Sequence, residues 1–372
     1  MEWKDCTLGE ILNFRRGHDL PHSEMQPGNI PVAGSNGIIG YHNVATPVEP
    51  ILTIGRSGNV GKPYFYEKAW AHNTTLYVDD FKGNDPKFLY YLCHTLPFSN
   101  FGGGSAVPTL NRNHIHPLEV RIPQKVSDQR RISSLLSSFD RKIETNNRIN
   151  AVLEEMAQAI FKSWFVDFEP FQDGNFVDSE LGRIPEGWKV VELREIAEIT
   201  MGQSPDGKSL NEKGEGLIFY QGCTDFGFRY PKIRVYTTGP HRIATSNSIL
   251  FSVRAPVGYI NIANKECCIG RGIAAIKSKG KNDSFLFYAM KSLNKLYESY
   301  NGEGTIFGSI NKNTLARTKI VVPSNNIIAS FNECVSTFDC RIKNLSEENR
   351  HLSSLRDTLL PRLMSGEIEI PE

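Results

Sequence analysis

A single pattern is written twice along this chain. Trp3, Leu8, Glu10 and Ile11 return as Trp188, Leu193, Glu195 and Ile196, each 185 residues later. Phe88-Leu89-Tyr90-Tyr91 returns as Phe285-Leu286-Phe287-Tyr288, and Ile122-Pro123 as Val322-Pro323. Phe139-Asp140-Arg141-Lys142-Ile143 returns as Phe338-Asp339-Cys340-Arg341-Ile342. The order is kept and the offset drifts only from 185 to about 200, as in a duplicated unit with a few insertions. A unit of nearly 200 residues is far longer than a solenoid or propeller repeat, so each copy is expected to carry its own core. Two similar sites on one chain follow from that alone.

Length supports the same count, since 372 residues suggest two or three domains. With 40% hydrophobic and 22% charged residues, the composition is that of a soluble globular protein. A formal charge of +1 argues against a generic, highly basic nucleic-acid binder; it leaves room for a specific one, because a basic face can be balanced elsewhere. Met1-Glu2-Trp3-Lys4-Asp5 leads straight into the first repeat without a signal-peptide pattern. No apolar run approaches the ~20 residues that span a bilayer, so no membrane partner is expected. Seven cysteines, an odd number without C-x-x-C spacing, argue against a disulfide framework or a zinc site. The adjacent Cys267 and Cys268 read as buried free thiols, and a cytoplasmic location is expected.

Each copy divides into a turn-rich part and a long helix. Ile51-Leu52-Thr53-Ile54, Tyr64-Phe65-Tyr66 and residues 248–252 are apolar runs bounded by Gly, Pro and Asn, the pattern of strands. Residues 86–92 and 284–295 read as helices. After Pro123 the period changes. Ile132, Leu136, Phe139, Ile143, Asn146, Asn150 and Leu153 step alternately by four and three, and Ala157 and Ile160 extend the stripe. Ile328, Phe331, Val335, Phe338, Ile342, Leu345, Asn349 and Leu352 keep the same rhythm. These are heptad-like seams, with Ser127 and Ser324 as candidate N-caps. Each helix is roughly 35 residues, on the order of 50 Å long. One apolar stripe does not hold such a helix alone; the other copy's helix is the natural partner, and connectivity makes the pair antiparallel. Asn150 and Asn349 occupy equivalent positions, where they either set register within the seam or point to solvent. The expected fold is α+β: two globular mixed α/β domains at 1–125 and 169–323, joined by helical spacers at 126–168 and 324–372. The spacers form an antiparallel coiled coil with a pseudo-twofold internal repeat.

Catalytic signatures are absent. Gly55-Arg56-Ser57-Gly58-Asn59-Val60-Gly61-Lys62 lacks P-loop spacing, and Pro63 stands where magnesium-binding Ser or Thr is needed; the stretch reads as a glycine loop shaped for a close approach. No Asp/Asn-Pro-Pro-Tyr methylation motif, Rossmann fingerprint or H-E-x-x-H occurs. Pro205-Asp206 lacks the downstream Asp/Glu-x-Lys of a restriction-nuclease core. The nine histidines do not cluster at metal-ligand spacing; His114 and His116, flanking Ile115 in a strand-like segment, read as surface residues. No cofactor or metal is expected. What remains is polar, glycine-rich loops in matching places: residues 102–113 against 302–313, and Arg56 with Ser57 and Asn59 against Arg254. Such side chains read base edges and grip phosphates, although each alone also suits an ordinary turn. The candidate DNA-contacting residues are Arg56, Ser57, Asn59, Lys62, Ser105, Thr109, Asn111 and Arg112 in the first copy. In the second they are Gln203, Arg254, Arg271, Thr305, Ser309, Asn311 and Lys312.

From end to end the chain resembles the specificity subunit of type I restriction–modification enzymes. The likeness is carried by Leu8-Gly9-Glu10-Ile11 after Trp3 and by Gln129-Arg130-Arg131-Ile132. It continues in Ala159-Ile160-Phe161-Lys162-Ser163-Trp164-Phe165-Val166-Asp167-Phe168 and in Gly182-Arg183-Ile184-Pro185-Glu186-Gly187-Trp188. Leu359-Leu360-Pro361-Arg362-Leu363-Met364-Ser365-Gly366-Glu367-Ile368 completes it. The resemblance implies two target recognition domains, each reading half of a bipartite double-stranded DNA site, with helical spacers acting as a ruler. It also implies docking of two methyltransferase subunits and of restriction/translocase subunits, with no catalysis by this chain. Because the loops differ between copies, the half-sites are expected to differ. The alternatives are a coiled-coil scaffold that reads no DNA, a degenerate methyltransferase or nuclease, and a specificity chain serving a fused methyltransferase–nuclease.

Overall fold

The apolar runs broken by glycine become short strands, as their β-branched and aromatic content favours. In the computed structural model, which describes residues 1–101, 109–280, 282–301 and 308–371, the first copy runs β1 (Trp3–Thr7), α1 (Leu8–Ile11), β2 (Asn13–Arg16), β3 (Ile30–Gly34), β4 (Gly37–His42), β5 (Ile51–Gly55), β6 (Pro63–Tyr66), β7 (Trp70–Ala71) and β8 (Thr75–Asp80). Then come α2 (Pro86–Thr95), α3 (Arg112–Ile115), β9 (Glu119–Pro123) and α4 (Val126–Phe165). A hairpin, β10 (Phe176–Ser179) and β11 (Gly182–Pro185), leads to β12 (Lys189–Glu192), α5 (Leu193–Ile196) and β13 (Ala197–Met201). The second copy continues with β14 (Leu210–Asn211), β15 (Leu217–Tyr220), β16 (Val235–Thr237), β17 (Ile243–Ala244), β18 (Ile249–Ser252), β19 (Ile260–Ile262), β20 (Cys267–Ile269) and β21 (Ile273–Ser278). It ends with α6 (Asp283–Ser292), α7 (Asn294–Glu298), α8 (Lys312–Ala316), β22 (Lys319–Val322) and α9 (Asn325–Met364).

Two compact units result, Met1–Thr145 with Glu348–Glu372, and Asn146–Glu347. In the first, β1 pairs antiparallel with β9, closing the domain where its chain enters and leaves. A four-stranded sheet has the order β2-β8-β5-β6 and a three-stranded one β4-β3-β7. The second unit repeats this scheme with β12 on β22, a four-stranded sheet β13-β21-β18-β19 and a five-stranded sheet β14-β16-β15-β20-β17.

The helical expectations need three corrections. Both long helices span 40 residues rather than about 35. Ser324 precedes the first turn of α9, its carbonyl accepting from the Ile328 amide at 3.2 Å. Ser127, by contrast, lies inside α4, and Lys125 takes the outer position, accepting from Gln129 at 3.3 Å. The helix expected across 284–295 stops at Ser292 and resumes as α7. Among the described residues no helix is long and apolar enough to cross a membrane.

Helix α4 pairs antiparallel with α9 within each unit. In the first, Lys142 meets Glu348 at 3.5 Å and Asp140 meets Arg356 at 2.5 Å, so one number falls as the other rises. In the second, Asn150 Nδ2 donates to Ser346 Oγ at 3.4 Å. Further along the same unit, Phe331 packs against Phe161, Trp164 and Phe165 with ring centroids 5.0–6.1 Å apart. Ile132, Leu136, Ile328, Phe331, Val335, Ile342 and Leu345 are buried, whereas Phe139, Ile143, Leu153, Ile160, Phe338 and Leu352 are half-buried. Ile132 and Leu136 join a core with Leu8, Phe88 and Leu363. Ile328, Phe331 and Val335 join one with Trp188, Phe285 and Tyr288. The stripe thus holds each globular part as well as the helix pair. Asn150 is buried with its Oδ1 unpaired, and Asn349 is half-buried.

Candidate nucleic-acid interface

Three segments meet at the same place in each unit, and matched backbone hydrogen bonds hold them. In the first, the amides of Gly17 and His18 donate to Thr75 and Ala71 at 3.0 and 2.8 Å, and the amide of Arg56 donates to Thr74 at 2.8 Å. In the second, Gly202 and Gln203 donate to Ile273 and Ile269, each at 2.9 Å, and Val253 donates to Gly272 at 2.9 Å. A Cβ on Gly17 would stand 2.1 Å from the His72 carbonyl, and one on Gly202 2.1 Å from that of Gly270. Only glycine permits that approach.

The candidate loops are joined to this junction. An isolated bridge pairs Ser57 with Thr109 in the first unit and Arg254 with Ser309 in the second. Leu110 donates to Arg56 at 2.8 Å, and Ile310 to Val253 at 3.0 Å. This register aligns Arg254 with Ser57, and Arg56 with the buried Val253, one residue away from the pairing suggested by the sequence. The close approach foreseen for the glycine loop is made by this chain itself. Gly61 (φ +77°) and Gly258 (φ +95°) would place a Cβ 2.4 Å from Phe98 Cβ and 2.6 Å from Tyr297 Cβ.

Position by position, His18, Ser57, Asn73 and Thr109 in the first unit correspond to Gln203, Arg254, Arg271 and Ser309 in the second. Asn59, Lys62, Thr109, Asn111 and Arg112 are exposed, as are Gln203, Arg254, Arg271, Ser309, Asn311 and Lys312; Arg56 and Ser57 are half-buried. Several have local duties. Arg56 Nη1 donates to the Asn73 carbonyl at 3.5 Å, and burial followed by the Arg16 charge lowers its proton affinity. Arg112 Nη1 donates to the Phe14 carbonyl at 3.3 Å. Lys62 Nζ lies 5.3 Å from the Tyr64 ring centroid. Asn111 and Asn311 cap α3 and α8, their Oδ1 atoms accepting from Asn113 and Thr314 amides at 3.0 and 2.9 Å. Ser105 and Thr305 lie outside the described residues. Among the described residues no cluster of three or more His, Cys, Asp or Glu is placed to hold a metal.

Sequence reading missed His18, Asp19, Asn73, Ser204 and Gln221. Asn73 Nδ2 donates to Asp19 Oδ1, and Ser204 Oγ donates to Gln221 Oε1 at 2.9 Å and accepts from the Arg271 amide at 3.4 Å. Only the strand register aligns them, because the two copies carry unlike residues there. His116 needs correcting too: it follows the short helix α3 rather than lying in a strand. Its Nε2 accepts from the Phe14 amide at 3.0 Å, so it is no plain surface histidine.

Comparison with known proteins agrees over most of the chain. The family model described as "Type I restriction modification DNA specificity domain" matches residues 1–155 and again 185–349. A Methanocaldococcus jannaschii protein, provisionally named the MjaX type I restriction enzyme specificity subunit, is 34% identical over 77% of this chain and 69% of its own length. The HindI type I restriction enzyme specificity subunit of Haemophilus influenzae is 26% identical over 97% of this chain and 93% of its own length. The crystal structure of a type I restriction–modification S subunit from M. genitalium shares the fold. It aligns with a TM-score of 0.63 over 98% of this chain and 96% of that one, at 17% identity.

Proposed function

Since the chain belongs to the family of type I restriction–modification DNA specificity subunits, we propose that it is the DNA-reading, non-catalytic member of such a complex. Each unit reads one half of a bipartite, asymmetric duplex site through the junction of its three segments. The paired helices dock two methyltransferase subunits, and restriction/translocase subunits join for cleavage in the cytoplasm. The observation that carries this reading is a pair of junctions alike in backbone and unlike in side chains, Ser57, Asn73 and Thr109 against Arg254, Arg271 and Ser309. Equal backbones suit equal docking on a duplex, and unequal side chains suit unequal base sequences. Exposed cations at Lys62, Arg112 and Lys312 supply phosphate contacts, so affinity falls with salt.

The test is site selection from randomised duplexes by the chain assembled with its methyltransferase subunits. A two-part sequence is expected, and exchanging residues 1–123 for those of another family member changes one part only. Selection of no sequence, or a change in both parts, rejects the reading.

A further inference from the structure

One position in the junction carries a side chain with a planar hydrogen-bonding fork in both copies. The turn after β7 closes with the Thr75 amide donating to His72 at 2.9 Å, and the turn after β20 with Ile273 donating to Gly270 at 3.0 Å. Each turn is tied on every side. Its first residue donates to a neighbouring strand, His72 to Ala33 at 3.0 Å and Gly270 to Tyr220 at 2.8 Å. Its later residues accept from Gly17 and Arg56 in one unit and from Gly202 and Val253 in the other. The second residue of the turn is therefore held in the same backbone place twice. It is Asn73 in the first unit and Arg271 in the second.

These side chains differ from the rest of the junction. At the adjacent bridge the pair is Ser57 and Arg254, of which only one has a planar fork. Arg56 and Arg112 spend guanidinium hydrogens on backbone carbonyls. Arg271 is exposed, and among the described residues its guanidinium meets no hydrogen-bond or ion-pair partner. Asn73 gives one amide hydrogen to Asp19, which fixes the plane of the amide and leaves its oxygen and second N–H to be used. A guanidinium fork matches O6 and N7 of guanine, and a primary amide matches N6 and N7 of adenine.

We propose that the second residue of this turn reads a base in each half-site, Arg271 selecting a guanine and Asn73 an adenine. The assignment rests on the DNA-reading function proposed above and names its specificity residues.

The experiment is base-resolved selection from randomised duplexes by the full chain assembled with its methyltransferase subunits, comparing wild type with Arg271→Ala and Arg271→Gln. Arg271→Ala is expected to lower preference for guanine about 5- to 150-fold at one base pair. Arg271→Gln is expected to move that preference toward adenine. The other half-site remains as in wild type and reports that the variant is folded. If a variant fails to assemble, Arg271→Met keeps the aliphatic stem without any donor and is expected to lose the same preference. An unchanged selected sequence, or a weakening shared by all sequences as for a phosphate contact, overturns the assignment while leaving the DNA-reading function intact. A wild-type complex that selects no sequence removes that function itself.

Discussion

His116 shows how one side chain ties a loop to a sheet. Its Nε2 accepts from the Phe14 amide at 3.0 Å, and its ring stacks on Phe14 with centroids 6.3 Å apart. Burial first, then the charges of Arg112 and Lys82, lower its proton affinity below the ordinary value near 6.5. The sign follows from which form the fold prefers. The neutral ring is the acceptor, so its stabilisation is complete above about pH 6.5 and is lost as pH falls through the lowered folded-state value. Melting temperatures between pH 7.5 and 5 are therefore expected to fall more steeply in wild type than in His116→Gln; equal slopes would contradict the assignment. Helix caps show a similar economy. In the first unit Asp85 Oδ1 caps the Phe88 amide at 2.8 Å from the residue just before its own helix. In the second, the equivalent Phe285 amide is capped at 3.0 Å by Asn332 from the long helix α9. A capping Asp at the start of a helix is legible in sequence. A cap lent from 47 residues away is not.

At the scale of elements, Asp140 and Asp339 occupy one position of the duplicated helix and meet different cations. Tyr91 and Tyr288 donate to them in both units. Asp140 is neutralised by Arg356 of α9. Asp339 is neutralised by Arg229, a buried residue of the loop between β15 and β16, which also binds Glu154 of α4. Lys291 adds a second cation to Glu154 at 2.5 Å. Burial lowers the Arg229 proton affinity, but Glu154, Tyr288 and Asp339 outweigh it and hold the guanidinium firmly charged. Removing one partner from such a group strands the others in low dielectric. Arg229→Met is expected to destabilise the chain by about 3–5 kcal/mol in denaturant unfolding; a loss below about 1 kcal/mol would mean that Lys291 suffices. The long helices were legible because a heptad stripe is a local property of sequence. The break at Leu293 and the role of Lys125 rather than Ser127 at the start of α4 were not, since tertiary contacts select among termini of similar propensity.

At the scale of the whole molecule, the proposed ruler makes a quantitative demand. Deleting seven residues from each long helix, 144–150 and 343–349, keeps the heptad stripe in phase and shortens the pair by about 10 Å. At roughly 3.4 Å per base pair, the permitted interval between half-sites is expected to contract by about three base pairs. Site selection with an unchanged interval rejects the ruler. The duplication, the strand character of the glycine-broken apolar runs and the two long amphipathic helices were determined by sequence alone, because repetition and hydrophobic period can be read within one segment. The stripe also named residues such as Phe331 and Ile342 that are buried. Only tertiary structure decided that Arg254 stands where Ser57 does, that Asn111 and Asn311 are caps, and that Asn73 and Arg271 share one turn. Neighbours in a sheet are set by register between segments far apart in the chain, and a shift of one residue changes every partner. At this junction, moreover, the two copies share their backbone hydrogen bonds while His18, Ser57 and Asn73 give way to Gln203, Arg254 and Arg271, so residue identity at those positions held no trace of the equivalence.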